Sequence, residues 1–302
     1  MSFDLKTRQK YSLDLKIAMS KERIREWYNR CHGKVYIAFS GGKDSTVLLH
    51  LVRSLYPKVP GVFCDTGLEF PEVREFIKTV PNIEWIKPKM NFKMVLERYG
   101  FPIISKEQAQ FIGEIQRGVC EDSIDRRLNG IGKNKSGTIS KKWQYLIDAP
   151  FKISDKCCEV MKKRPFTVYQ KNGRTPYIGV MASESLLRQQ SYSKDGCNKG
   201  SGKKQSRPLM FWLEEDIWKY IKKENLEYSK IYDKGFSRTG CVYCAFGAHL
   251  DKHPVQNKFQ IMYSTHPKLY KFCMEKLGMK EILEYINVPI EPKKGLNKRK
   301  RK

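Results

Sequence analysis

Short runs of strand-forming residues, amphipathic stretches between them, and glycine or proline at the junctions predict an α/β fold with a parallel sheet flanked by helices. Tyr11 to Arg30 reads as an amphipathic helix, and Val35 to Phe39 is a buried strand rich in Val, Ile and aromatic residues. Ser40-Gly41-Gly42 breaks that strand, and Ser45 to Leu55 continues as a helix with an apolar face. Gly61 to Cys64 is a second strand, and the helix after it starts near Pro71, where the fixed φ of proline suits a first turn. Ile83 to Ile86 is a third strand and Asn91 to Tyr99 a further helix. Strands that alternate with helices make βαβ units and hence a parallel sheet. The regularity lapses over residues 112–142, read as a polar, basic insertion or mobile loop. Pro176 to Met181 is one more buried strand, residues 193–207 a second basic, Gly-rich loop, and helices return over Leu213 to Lys223 and much of 257–286. The organisation expected is a helical segment over 1–32, an α/β domain over 33–246 with both basic insertions, a helical extension over 247–290, and a basic, disordered tail over 291–302.

At 302 residues the chain is long enough for a sizeable core, and a mean hydropathy of −0.59 suits a soluble globular protein. No run of 18 uncharged apolar residues is present, so no membrane-spanning helix is expected, and Met1 to Met19 lacks the apolar stretch of a secretory signal. A cytoplasmic location is the expectation. Lys plus Arg number 58 and Asp plus Glu 32, a formal net charge of +26. Seven of those positive charges fall in Lys293 to Lys302, which holds no acid. Such a field attracts polyanions, from nucleotides to RNA and DNA, although a Lys-rich solvated surface would have the same composition.

Ser40-Gly41-Gly42-Lys43-Asp44-Ser45 lies between a predicted strand and a predicted helix. Backbone N–H groups at a helix N-terminus lack intrahelical partners and bind anions. The two glycines let the backbone approach phosphate, Lys43 adds charge, and Ser40 and Ser45 offer hydroxyls. The spacing is not that of the G-x-x-x-x-G-K-[ST] loop of ordinary NTPases. It resembles the SGGxDS pyrophosphate loop of the N-type ATP pyrophosphatase (adenine nucleotide alpha-hydrolase) superfamily. Three further segments resemble the phosphoadenylyl-sulfate (PAPS) reductase family: Asp65-Thr66-Gly67 with Pro71-Glu72, Gly179 to Arg188 with Glu184 and Ser185, and Pro208-Leu209 with Trp212 and Asp216-Ile217-Trp218.

That resemblance implies a Rossmann-like sheet with the nucleotide across the carboxyl ends of the strands. It places Ser40, Gly41, Gly42, Lys43, Asp44 and Ser45 on phosphate, and Asp65 and Thr66 near the nucleotide. Gly179, Glu184 and Ser185 join the binding site, and Arg188 contacts phosphate or sulfate. Lys43, Asp44 and Arg188 are the candidate catalytic residues. Where the family often carries an arginine, this chain has Met181 and Ala182, a departure that bears on the substrate.

Nine cysteines in a chain without an export signal point to metal or redox chemistry rather than disulfides. Cys157-Cys158 is followed after 83 positions by Cys241-Val-Tyr-Cys244. A C-x-x-C turn can place two sulfurs on one metal, and four thiolates suit zinc or an iron–sulfur cluster. The order of an adjacent pair and then C-x-x-C resembles adenylyl-sulfate reductases, and the resemblance implies a [4Fe–4S] cluster on Cys157, Cys158, Cys241 and Cys244. Lys156, Lys162, Lys163 and Arg164 would offset its charge. Cys64 falls in a strand and reads as core. Cys120 and Cys197 lie in the basic loops, and His249 and His253 follow the C-x-x-C turn as surface or supporting groups.

Reductases of this kind act through a cysteine in a C-terminal E-C-G-[LI]-H motif, which is absent here; the last cysteine is Cys273 in Lys-Phe-Cys-Met-Glu. The superfamily also holds enzymes that adenylylate a target with ATP and Mg²⁺, release pyrophosphate and insert sulfur into tRNA or DNA, DndC-like proteins among them. The charge favours this second chemistry, with sulfur supplied by a cysteine desulfurase. The alternatives are an adenylyl-sulfate or PAPS reductase with an unconventional nucleophile and a thioredoxin-like donor, and a non-catalytic nucleotide or nucleic-acid binding module.

Overall fold

The computed structural model describes residues 4–132, 136–250 and 255–292. The strands in chain order are β1 Val35–Ala38, β2 Gly61–Cys64, β3 Ile83–Ile86, β4 Ile103–Ile104, β5 Thr175–Ile178, β6 Asn198–Lys199, β7 Gln205–Ser206 and β8 Ala245–Phe246. Six of them form one sheet in the order β3-β2-β1-β5-β7-β6, parallel throughout except for the β6–β7 pair. This is the α/β, Rossmann-like architecture that the alternation of strands and helices predicts.

The described residues divide into two compact units, each assembled from separated segments rather than from one stretch of chain. The first unit, 4–65, 69–87 and 165–232, contains the six-stranded sheet. Parallel strands require crossovers, supplied here by the helices Lys43–Arg53 between β1 and β2 and Pro71–Thr79 between β2 and β3. Val47, Leu48, Leu51 and Val52 of the former are buried with Val35, Ile37, Val62 and Tyr177 of the strands. The helix Leu13–Arg30 is tied to the helix Glu214–Lys223 by polar groups inside the core. Lys16 Nζ is 2.6 Å from Asp216 Oδ2, and Asp216 also accepts the amide of Leu213, capping its own helix. Ser20 Oγ accepts from Trp212 Nε1 at 2.9 Å and donates to the carbonyl of Pro208 at 3.0 Å.

The second unit, 66–68, 88–132, 136–164, 233–250 and 255–292, is largely helical and carries the short parallel pair β4–β8. Of the two readings of residues 112–142, an insertion or a mobile loop, it corrects the loop. The helices Lys106–Gln116 and Glu121–Asn129 lie there, followed by a 3₁₀ helix, Lys141–Asp148. Ser105 caps the first of them, and Ala109, Phe111 and Ile112 form its buried face. The basic composition that suggested a loop serves packing instead. Arg127 reaches Glu114 at 2.7 Å and lies 3.9 Å over the ring of Phe111.

Residues 193–207 are likewise no open loop. They finish the helix Leu186–Asp195 and form the β6–β7 hairpin, joined to β5 at Tyr177↔Ser206. The helical stretch expected over 257–286 is present in pieces: Lys258–Thr265, Pro267–Lys271, the π-helical turn Phe272–Lys276 and Met279–Tyr285. The expectations for His253 and for Lys293 to Lys302 lie outside the described residues. No described helix is long and apolar enough to cross a membrane.

Candidate functional site

The loop Ser40–Ser45 leaves the carboxyl end of β1 and enters the helix Lys43–Arg53, with Gly42 as its N-cap. Its shape is fixed by its own hydroxyls. Ser45 Oγ accepts from Ser40 N at 3.2 Å, lies 3.1 Å from Ser40 Oγ and donates to the carbonyl of Gly42 at 2.8 Å, which Thr46 Oγ1 also meets at 3.1 Å. Gly41 sits at φ +70°, where a side chain would also press within 2.9 Å of Ile77 and Val73. Gly179, just past β5, supports the loop from the neighbouring strand. A Cβ there would stand 3.0 Å from the carbonyl oxygen of Asp44 and 3.2 Å from Ser45 Cα. The first turn of a helix therefore rests directly on backbone, with its amides aimed out of the sheet.

Lys43 does not extend along this loop. Its side chain is 5% exposed, 3.1 Å from Glu214 Oε1, with the ammonium 5.3 Å from the ring centre of Tyr232 and 6.0 Å from that of Trp218. Its backbone N–H donates to the hydroxyl of Tyr232 at 2.8 Å. Glu214 and Tyr232 had no signal in the sequence: Tyr232 lies 189 positions from Lys43.

Asp65, directly after β2, is buried and paired with Arg74 at 2.9 Å. Thr66 belongs to the second unit and accepts the amide of Leu68. Glu184 accepts from the amide of Met181 at 2.9 Å and from the Arg188 guanidinium, and Ser185 caps the helix that carries Arg188. Arg188 thus sits beside its own carboxylate partner, 39% exposed.

In the second unit the fold brings the two cysteine pairs into one environment. Cys157 is buried, while Cys158, Cys241 and Cys244 are partly exposed. Burial pushes the Cys157 thiol well up, Cys158, Cys241 and Cys244 push it further, and Lys162 opposes them. Burial likewise raises Cys244, with Lys258 opposing and Cys241 and Cys158 adding to the rise. Lys258 opens the helix Lys258–Thr265, and its ammonium donates to the carbonyl of Cys241 at 2.8 Å. Burial lowers its pKa against the pull of Cys244, Cys241 and Cys273. Cys273 has no exposed surface, and burial holds its thiol up at about 12. Two π-helical turns flank the group: Glu159–Lys163, directly after the cysteine pair, and Phe272–Lys276, which contains Cys273. Among the described residues no three His, Cys, Asp or Glu donors converge closely enough to hold a single metal ion. Lys258 was missed as a neighbour of the thiols, and Cys273 as a neighbour of Lys258, because only tertiary structure joins them. Cys64 is buried in β2, as expected, and Cys197 is buried beside the β6–β7 hairpin.

The profile of the phosphoadenosine phosphosulfate reductase domain matches residues 34–103 and 105–246. An adenosine 5'-phosphosulfate reductase of Halalkalibacterium halodurans is 24% identical over 222 residues, 73% of this chain and 78% of that protein. An uncharacterised protein of Methanocaldococcus jannaschii is 24% identical over 270 residues, 85% of this chain; the chain spans only 46% of that relative's length. A PAPS reductase structure from Candida auris, a phosphate complex, aligns with a TM-score of 0.44 at 18% identity, covering 74% of this chain and 87% of the other. With the matched profile running through both the Ser40–Ser45 loop and the C-x-x-C turn, the chain belongs to the phosphoadenosine phosphosulfate reductase domain family.

Proposed function

We propose that this protein is an iron–sulfur enzyme that adenylylates its target with ATP and couples the release of pyrophosphate to sulfur transfer onto nucleic acid. The observation that carries this reading over sulfate-ester reduction is the state of Cys273. A reductase needs a thiolate that attacks sulfur. Cys273, which follows Cys244 in the chain, is fully buried, and burial holds its thiol up at about 12. Adenylation needs no cysteine nucleophile, only a site for the leaving diphosphate. The outward amides of the Ser40–Ser45 loop suit that role.

In this reading a target oxygen attacks the α-phosphorus of ATP and pyrophosphate leaves. A hydrosulfide then attacks the activated atom, and AMP departs with the oxygen. The loop amides and the hydroxyls of Ser40 and Ser45 hold the leaving group, and Asp65, with Arg74 beside it, faces the nucleotide. Mg²⁺ would offset the charge of the pyrophosphate. Arg188 reaches the substrate phosphate by exchanging its contact with Glu184. The sulfur comes from a partner of the cysteine desulfurase class, with a thiol reductant releasing it. The net charge of +26 supports a polyanionic target, tRNA or DNA, held through its phosphates.

The cysteine group is read as the holder of a [4Fe–4S] cluster because an adjacent pair followed by C-x-x-C is the order for which the resemblance implies one. A [4Fe–4S] cluster divides four thiolates among four irons. Cys157 and Cys244, raised by burial and further by the thiols beside them, with Lys162 opposing at the first and Lys258 at the second, make an environment that bound iron would relieve. When bound, the cluster supplies a site for sulfur or electron transfer; Cys157, Cys158, Cys241 and Cys244 would hold it.

The test is transfer of ³⁵S from labelled cysteine, through a desulfurase, into bulk tRNA or plasmid DNA by the anaerobically purified protein. Incorporation that requires ATP supports the reading. Sulfur that stays off nucleic acid with ATP present counts against it. The family relatives named adenosine 5'-phosphosulfate reductase support a second reading, reduction of adenylyl sulfate or PAPS to sulfite with a thiol supplied by a thioredoxin-like partner.

A further inference from the structure

We propose that Tyr232 is a gate on the phosphate site, and that a diphosphate ligand binds by displacing its hydroxyl from the amide of Lys43. The inference rests on the reading of Ser40–Ser45 as the diphosphate loop. Lys43 is the first residue of the helix after the Gly42 cap, so its N–H is one of the donors that a helix leaves without an internal partner. That N–H is what a bound phosphate oxygen would meet, and it donates to Tyr232 Oη at 2.8 Å. One N–H cannot serve two strong acceptors along the same line, so the hydroxyl and a phosphate oxygen exclude each other.

The tyrosine is held in place by a built wall. Its ring meets the edge of Trp218 at 5.3 Å between centres and that of Tyr228 at 6.2 Å, and the ammonium of Lys43 lies 5.3 Å from its centre. Glu214 completes the enclosure of that ammonium at 3.1 Å. The loop lysine thus anchors the gate through its side chain and receives it through its backbone. The exchange favours the ligand, because a charged phosphate oxygen is a stronger acceptor than a neutral phenol. Without the ligand, the hydroxyl accepts from that amide.

Tyr232→Phe keeps the ring wall and removes the competing oxygen. Titration of inorganic pyrophosphate into the purified full chain should show binding roughly fivefold tighter than in the wild type, the fold-change equivalent of a typical net hydrogen bond. Equal affinity, or weaker affinity because the hydroxyl itself holds the ligand, overturns the gate. Gly41→Val, which blocks the loop, should abolish binding in both backgrounds. If it does not, or if the unaltered chain binds no pyrophosphate, the loop reading falls and the gate falls with it. Should the Phe variant fold poorly, the wild type still decides. Saturating pyrophosphate should change tryptophan emission by an amount that Trp218→Phe loses, and an unchanged emission contradicts displacement of the ring beside Trp218.

Discussion

In the first unit, six consecutive residues from the end of β1 into the helix Lys43–Arg53 make the proposed phosphate loop, and the hydroxyl of Ser45 closes it onto Ser40 and Gly42. In the second, the four thiols come from Cys157-Cys158 and from the C-x-x-C turn that starts 83 positions beyond at Cys241; burial raises Cys157 and Cys244, and the neighbouring thiols raise both further. The loop is complete as folded, because strand, turn and helix are local and backbone amides need no partner to take their places. The cysteine group is brought together at an electrostatic cost, with Lys162 and Lys258 as partial compensation. In the proposed reading, one region is preorganised for an anion and the other is a donor set whose gain would come when iron is bound.

The largest expected effect falls on the second region. Cys157→Ser or Cys244→Ser should abolish iron binding, read as iron per chain and as the visible absorbance of anaerobically purified protein, whereas Cys64→Ser, in β2, should leave both unchanged. Retained iron in the first two variants would break the contrast between the regions. A large effect of another kind belongs to the first region's support. Asp216→Ala leaves the buried ammonium of Lys16 without its carboxylate and removes the cap of the helix Glu214–Lys223. Denaturant unfolding should show a loss of about 3–5 kcal/mol, and a loss below ~1 kcal/mol would mean that the pair is solvated. Smaller again, Gly179→Ala places a methyl against the backbone of Asp44. A cost of about 1–3 kcal/mol is expected, together with weaker pyrophosphate binding, because the loop itself must shift. Unchanged binding would show that the loop does not depend on its neighbouring strand.

The sheet was legible because its strands are short, apolar and bounded by Gly or Pro: Gly61–Cys64 and Ile83–Ile86 fall where the residue pattern placed them. The loop was legible for the same local reason. Residues 112–142 misled because arginine on a helix can pack as well as solvate; the side chain of Arg127 covers Phe111 while its head group pairs with Glu114. The two-residue strands β6 and β7 bury too little to leave a pattern, and are made by pairing with each other and, through β7, with β5. At the candidate site the sequence marked Lys43 but not the enclosure formed by Glu214, Trp218 and Tyr232, and marked the four cysteines but not Lys258. Those neighbours arrive from remote segments, and no spacing along the chain encodes them.

The most direct test of the central claim is to incubate the anaerobically purified protein separately with ATP and Mg²⁺, with adenylyl sulfate and with PAPS, each with reductant and nucleic acid, and to measure pyrophosphate and sulfite. Pyrophosphate from ATP without sulfite from either ester is the predicted result. Sulfite from adenylyl sulfate or PAPS, with no pyrophosphate from ATP, would contradict the account and make the protein a reductase whose thiol comes from a partner.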